Sequence, residues 1–365
     1  MKSLCIYAGP KARQFLQRQG LKPSDVGVIP AAAGGPKGLI LGPLDRFLFN
    51  DWLPQSQQQI DLVGASIGAW RMATACMPQS QAGFLRLEHD YIHQHYELRE
   101  GERSPSAQQV SDTFRESLDA FYGGHVAHLL SHPRYRLHIL CARGKGVLKH
   151  EHPFRTPIGY GLAFALNLVN RKWMGALLER VVFSTGSSPP PFATNDYTTQ
   201  HLALTEQNFM DVLQGSCAIP FVLKAVPHIQ GAPNGAYWDG GITDYHLHLN
   251  WQTSNSSGSD NSPEKLVLYP HFQKAVVPGW LDKSLKWRHG ATSLLNSTVV
   301  LAPNPEWVQT LPNGKLPDRS DFARYGQDLM ARVKVWQTAS QASQQMADEF
   351  AHWLEQPDMS LVQDL

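Results

Sequence analysis

The stretch Leu62-Val63-Gly64-Ala65-Ser66-Ile67-Gly68-Ala69-Trp70 constrains this chain more than any other. Gly64, Ser66 and Gly68 spell G-x-S-x-G. An apolar run from Ile60 to Val63, broken only by Asp61, precedes it, and no helix breaker follows until Pro78. Strand, sharp turn and helix in that order are what a nucleophile elbow requires. The glycines let the turn tighten and let a neighbouring backbone pass close. The turn lifts the Ser66 hydroxyl out of the sheet and sets it at a helix N-terminus. There the free N–H groups and the helix dipole favour developing negative charge. The pentapeptide alone also arises by chance in Gly-rich loops; its strand and helix neighbours give it weight.

Taken in order, the chain opens with a helix expected over 10–19, stopped by Gly20, and a short buried strand over 26–30. The strand runs into Ala31-Ala32-Ala33-Gly34-Gly35-Pro36-Lys37-Gly38. Helical apolar spacing follows over 39–50, at Leu41, Leu44, Phe47 and Leu48. The loop fits neither G-x-G-x-x-G nor G-x-x-x-x-G-K-[ST]. It offers consecutive backbone N–H groups with little side-chain bulk, suited to an oxyanion, or else a tight turn with no ligand.

Helices are expected over 81–98 and 107–130, joined by a polar segment over 100–105. The second carries Val110, Phe114, Leu118, Phe121 and Tyr122 on one face. His125, His128 and His132 read as surface or core-edge residues and not as metal ligands. A strand is expected over 135–142, with a turn at 144–146. Residues 156–178 read as a helical stretch apolar around much of its circumference. It is either a buried core helix or the wall or lipid-facing cap of an acyl pocket. Strands over 181–184 and 201–204, a rigid loop over 186–191 and a helix over 206–214 lead to Gly215-Ser216-Cys217-Ala218-Ile219-Pro220. Asp239-Gly240-Gly241 then follows a turn-rich segment; alone, it is an ordinary Asp-Gly turn. Residues 253–263 read as a surface loop, 265–269 and 297–301 as strands, and 322–354 as one or two helices with a fraying tail from 355. Alternating strands and helices imply an α/β layered domain with a mainly parallel sheet.

With 365 residues, 42% hydrophobic and 17% charged, the chain can bury a large core. A formal net charge of +1 leaves no nucleic-acid footprint. Cys5, Cys76, Cys141 and Cys217 are scattered without a C-x-x-C pair, as in reduced cytoplasmic proteins. No signal peptide is visible, no apolar run reaches 18 residues, and no H-E-x-x-H spacing occurs.

Together, a Gly-rich loop, G-x-S-x-G, S-x-x-x-P and D-G-G in that order resemble the patatin-like phospholipase family in its bacterial-type acyl hydrolase form. Ala33-Gly34-Gly35-Pro36-Lys37-Gly38 is similar to the family's G-G-G-x-R-G, Ser216 to Pro220 to its S-x-x-x-P element, and Asp239-Gly240-Gly241 to its D-G-[GA] motif. The resemblance runs from Val26 to near Leu249 and leaves 303–365 uncovered. Ala33 replaces the first glycine while keeping an N–H. Lys37 replaces arginine and loses its planar fork. Ile242-Thr243-Asp244-Tyr245 stands where the family often carries N-x-P.

The resemblance implies a three-layer fold and hydrolysis of phospholipid or lysophospholipid esters by a Ser66–Asp239 dyad. Gly34, Gly35 and Lys37 would supply the oxyanion hole. Gly64, Gly68, Ser216, Pro220, Gly240 and Gly241 would frame it. No cofactor or metal is implied; a lipid or ester substrate and peripheral membrane contact are. The expected organisation is a catalytic domain over 1–302, with a helical insertion near 80–132 and the apolar segment near 156–178. A C-terminal helical extension over 303–365 packs on the same domain. The chemistry is coherent, because a serine needs a base and a desolvated carboxylate can serve. Two alternatives stand beside it. One is a Ser–Asp–His triad esterase, for which His246 and His248 follow Asp239 in the required order. The other is a catalytically silent lipid-binding protein on the same fold.

Overall fold

Strands that read as unbroken apolar runs, and not as alternating ones, belong in a sheet covered on both faces. In the computed structural model, which describes residues 1–98, 104–187, 189–252 and 265–365, such runs form the centre of one sheet. Its strands are β1 (Leu4–Ala8), β2 (Val26–Ala31), β3 (Ile60–Ala65), β4 (Tyr135–Gly144), β5 (Leu178–Ser184), β6 (Thr199–Ala203), β7 (Tyr237–Asp239), β8 (Leu266–Pro270), β9 (Thr298–Pro303) and β10 (Val362–Asp364). They lie in the order β10-β1-β9-β8-β2-β3-β4-β5-β6, with β7 paired to β4 off this path. Pairings β1–β10, β2–β3, β2–β8, β3–β4, β5–β6 and β8–β9 are parallel. Those of β1–β9, β4–β5 and β4–β7 are antiparallel. The fold is thus the expected α/β class, a mostly parallel sheet flanked by helices.

Side chains alternate between two cores. Leu62, Leu137, Ile139, Val181 and Phe183 face one cluster. Their neighbours Val63, Leu140 and Val182 face another, closed by Tyr245, Leu247 and Leu249. The first cluster is roofed by the elbow helix Ile67–Ala75, by Ser80–His93 and by Ala107–Tyr122. In the last of these, Val110, Phe114, Leu118, Phe121 and Tyr122 are all buried, and Ser106 caps the start by accepting from the Gln109 N–H.

Several segments differ from the sequence expectation. The helix expected over 107–130 stops at Tyr122, is broken by Gly124 at φ 79°, and resumes as Val126–Leu130, and the one expected over 81–98 ends at His93. Residues 39–50 are not one α-helix. A 3-10 helix, Gly35–Leu41, passes into Gly42–Arg46 and then a π turn, Phe47–Trp52. Pro43 has no N–H to bond four residues back, so the helix restarts around it. The 156–178 stretch splits into Arg155–Val169 and a 3-10 helix, Arg171–Ala176. Extended Asn170 separates them, and Leu178 already opens β5. Residues 322–354 lie in Ser320–Tyr325, Leu329–Ala342 and Gln344–Glu355. The tail does not fray: β10 pairs with β1, a strand too short and too near the start of the sequence for its pattern to stand out. The 253–263 loop and most of the 100–105 connection lie outside the described residues.

Residues 303–365 bury Trp336, Phe350 and Trp353. Glu349 accepts from the N–H groups of Ser3 and Leu4 at 2.9–3.0 Å.

Candidate active site

Pairing register brings the two halves of the site together. β3 pairs along β4 as far as Ala65, opposite Leu140. β7 takes up the next position, Asp239 opposite Cys141, running the other way. β5 holds the other edge of β4 from His138 to Gly144. So β3 and β7 share one edge and meet end to end at their C-termini. At that junction Ser66 Oγ donates to Asp239 Oδ2 at 2.6 Å, and both residues are buried.

Ser66 has φ 57°, in the left-handed region, which costs a non-glycine residue roughly 1–3 kcal/mol. Its surroundings over-determine it. A Cβ on Gly64 would sit 2.5 Å from Ala69, and one on Gly68 1.9 Å from the Ala31 carbonyl oxygen, so only glycine permits this turn against β2. The Ser66 N–H donates to Ser216 Oγ at 3.0 Å, and that hydroxyl donates to the Leu140 carbonyl at 2.7 Å. Ser216 therefore ties the elbow to β4. Pro220 stands further along, in the wall of the cavity beside Ser66.

Asp239 is fixed by its own turn. Gly241 N–H donates to Oδ1 at 2.7 Å, and Gly240 N–H reaches the Ser216 carbonyl at 3.2 Å. Burial raises its pKa. The Ser66 hydroxyl, the Arg319 charge and the Gly241 N–H oppose that rise without cancelling it. A carboxylate made more basic in this way is a better proton acceptor.

The Gly loop leaves β2 beside the same junction. Ala33 does not keep a free donor: its N–H goes to the Tyr245 carbonyl at 3.0 Å. Among the described residues, the N–H groups of Gly34 and Gly35 have no protein acceptor. Lys37 is the third residue of its 3-10 helix, where the N–H turns toward the carbonyl three residues back. It faces the cavity with its side chain instead. Its ammonium lies 5.4 Å from the Phe272 ring centroid, and burial lowers its pKa.

Two cavities converge on Ser66. One, of about 280 Å³, has Asp239 at its base and Lys37, Lys283 and Arg319 around it, with Asp318 as the opposing charge. The other, of about 500 Å³, is walled by Trp70, Tyr91, Val110, Phe114, Leu223 and Phe322. Arg319 lines both. Arg319 and Phe322 come from the segment for which the sequence offered no motif; sequence reasoning missed them, as it missed Lys283, Tyr91 and Leu223. An arginine near a helix start carries no signal by itself. The 156–178 stretch lines neither cavity, so the expectation that it walls the pocket is corrected.

Neither candidate histidine reaches the dyad. His246 Nδ1 accepts from the Val277 N–H at 3.0 Å, and burial holds its pKa well below the usual imidazole range. His248 pairs with the Val276 carbonyl at 2.9 Å and Thr292 Oγ1 at 2.8 Å, and burial lowers its pKa to about 4. A triad needs an imidazole between serine and carboxylate; here the two touch directly. Among the described residues, no group of three or more His, Cys, Asp or Glu is placed to hold a metal ion. No helix among them is long and apolar enough to cross a membrane.

No family model matches the chain, and no curated protein matches it. Among solved structures it is similar to VipD from Legionella pneumophila, at 14% identity and TM-score 0.34, over 95% of this chain and 70% of that one. It is also similar to human GIVD cytosolic phospholipase A2, at 12% identity and TM-score 0.35, over 96% of this chain and 62% of that one. At that level neither neighbour assigns a reaction to this chain, and the chemistry is read from the site's own atoms.

Proposed function

We propose that the chain is a serine acyl hydrolase that cleaves carboxylic esters of lipids through Ser66 and Asp239. The observation that carries this reading is the 2.6 Å Ser66–Asp239 hydrogen bond at a strained strand-to-helix turn. Asp239 takes the hydroxyl proton as Ser66 Oγ attacks the ester carbonyl. The N–H groups of Gly34 and Gly35 hold the oxyanion. The leaving alcohol departs with the proton from Asp239, leaving an acyl-enzyme. Water then gives its proton to Asp239 and attacks the acyl carbon; the bond to Ser66 Oγ breaks, Oγ takes that proton back from Asp239, and the fatty acid leaves. The apolar cavity takes the chain, at ~0.8 kcal/mol per buried methylene; its volume lies within the usual range for ligand pockets. The pocket lined by Lys37, Lys283 and Arg319 suits an anionic leaving group, as in a phospholipid or lysophospholipid.

Labelling with a fluorophosphonate tests the reading, since the probe requires an activated serine. Covalent mass at Ser66 and faster hydrolysis of lysophospholipid than of triacylglycerol are expected. A folded protein that takes up no label would instead be a silent lipid-binding protein.

The loop role has its own test. Gly35 has φ 58°, and a Cβ there would lie 3.3 Å from Arg319 Nε. Gly35→Val is expected to lower kcat about 100-fold while KM moves little, because one lost oxyanion donor costs ~2.7–4 kcal/mol in the transition state. Steady-state kinetics on a p-nitrophenyl ester measure it; an effect confined to KM contradicts the role.

Arg319 tempers the rise that burial gives the base and so lowers the working pH. The base acts when ionised, so kcat/KM rises with pH through the pKa of Asp239. The Arg319 charge lowers that pKa. Arg319→Ala is therefore expected to move the rising limb of the pH profile to higher pH, and Arg319→Lys to restore most of it. An unmoved limb removes Arg319 from this role.

A further inference from the structure

The helix Arg155–Val169 is built inside out for a helix that meets only water. Its buried side holds Thr156, Gly159, Tyr160, Ala163 and Asn167. Asn167 Nδ2 donates to Asp282 Oδ1 at 2.8 Å, and Thr156 Oγ1 accepts from the His152 N–H at 2.9 Å. Its outer side presents Ile158, Leu162, Ala165 and Val169, one stripe at helical spacing. Ile158 is 69% exposed and Val169 66%. Phe154 precedes the stripe and Trp173 follows it, both exposed.

Other elements extend the patch. Phe221, at φ 68°, holds its exposed ring 6.1 Å from that of Tyr160. Arg288 donates to the Leu168 carbonyl at 3.2 Å, which brings its neighbour Trp287, 72% exposed, to the far end of the helix. Single exposed apolar residues are ordinary, but a continuous face of them marks a contact surface.

We propose that this face docks on an anionic lipid bilayer. Charge complementarity favours that occupant: Arg155, Lys172 and Lys286 are exposed around the apolar stripe, as on helices that lie in the interface of anionic membranes. Trp173 and Trp287 supply the aromatic residues that settle at headgroup depth. The face is also continuous with both cavity mouths. Val222, next to Phe221, lines the apolar cavity, and Trp280 and Lys283, just ahead of Lys286 and Trp287, line the basic one. Resting on the acyl-ester reading above, docking in this way lets a lipid pass from the bilayer to Ser66 without crossing water.

The experiment is flotation of Ser66→Ala protein, which cannot consume the lipid. The vesicles are phosphatidylcholine alone or phosphatidylcholine mixed with phosphatidylglycerol. Flotation with the anionic vesicles, weakened by salt, is expected. The pair Ile158→Asp and Val169→Asp should lower the vesicle partition constant at least about tenfold, and so should Trp287→Ala on its separate loop. With Ser66 restored, these variants should hydrolyse a short soluble ester at the parent rate and melt at the parent temperature. No flotation with either vesicle overturns the proposal, as do variants that float like the parent. A dimer in sedimentation equilibrium that the same substitutions split, without flotation, overturns it in favour of a second copy of this chain. Loss of short-ester activity in the unmutated protein would sink the catalytic reading instead, and flotation would still decide the docking.

Discussion

Ser66→Ala is expected to abolish ester hydrolysis, with kcat falling on the order of 10⁶-fold, the scale seen when a serine hydrolase loses its nucleophile. No other described hydroxyl occupies that point: Ser216, the nearest in role, spends its oxygen on the Ser66 N–H and the Leu140 carbonyl. The fold should survive. Alanine at φ 57° meets the same backbone strain that serine already meets, and Gly64 and Gly68 still permit the turn. One buried hydrogen bond is lost, a change of about 1–3 kcal/mol. Kinetics on a p-nitrophenyl ester and a thermal melt measure the two effects separately. Activity within tenfold of the parent would refute the assignment.

Asp239→Asn is expected to lower kcat about 10⁴-fold, since an amide cannot accept the proton; a mis-set general base in a serine protease costs a similar factor. The rate of fluorophosphonate labelling should fall with it. The stability change should run the other way. Burial holds the folded pKa of Asp239 above the ordinary aspartate range. Its contribution is therefore favourable below the unfolded pKa and is lost as pH rises through the folded one. At neutral pH the buried carboxylate is a liability that asparagine removes, so the variant is expected to melt no lower than the parent. Normal turnover in Asp239→Asn would place the base elsewhere. In contrast, His246→Ala and His248→Ala should leave kcat near the parent value, because both imidazoles bond away from the dyad.

The elbow was legible because its requirements are local: an apolar strand, two glycines at fixed offsets and an uninterrupted helix. The Gly loop and Asp239-Gly240-Gly241 were legible as motifs, but not their meeting, which depends on both β3 and β7 pairing with β4. Ala33 shows the limit clearly. Its N–H looked available in the sequence and is taken by Tyr245, more than two hundred residues later. The apolar stretch over 156–178 was visible as composition, yet composition does not say which side faces out. Here the polar Thr156 and Asn167 turn inward to satisfied partners, and Ile158, Leu162 and Val169 turn outward. Arg319 left no trace, because a single cation acquires a role only from what folds beside it.

The end-to-end meeting of β3 and β7 on one edge of β4 makes β4 a ruler for the reaction. Ser66 and Asp239 stand 173 residues apart in sequence, and no continuous element joins them. Their separation is set by two independent registers read against adjoining stretches of one strand, Tyr135 to Leu140 for β3 and Cys141 to Arg143 for β7. A slip of one residue in either register would move the end of a strand by about 3.3 Å and turn its side chains to the opposite face. The sheet would keep its hydrogen bonds, and the dyad would be gone. Turnover is thus a stricter gauge of correct folding in this protein than secondary structure is. In a refolding experiment, the return of helix and strand signal should come first, and the return of activity should wait for β4 to be read correctly from both directions.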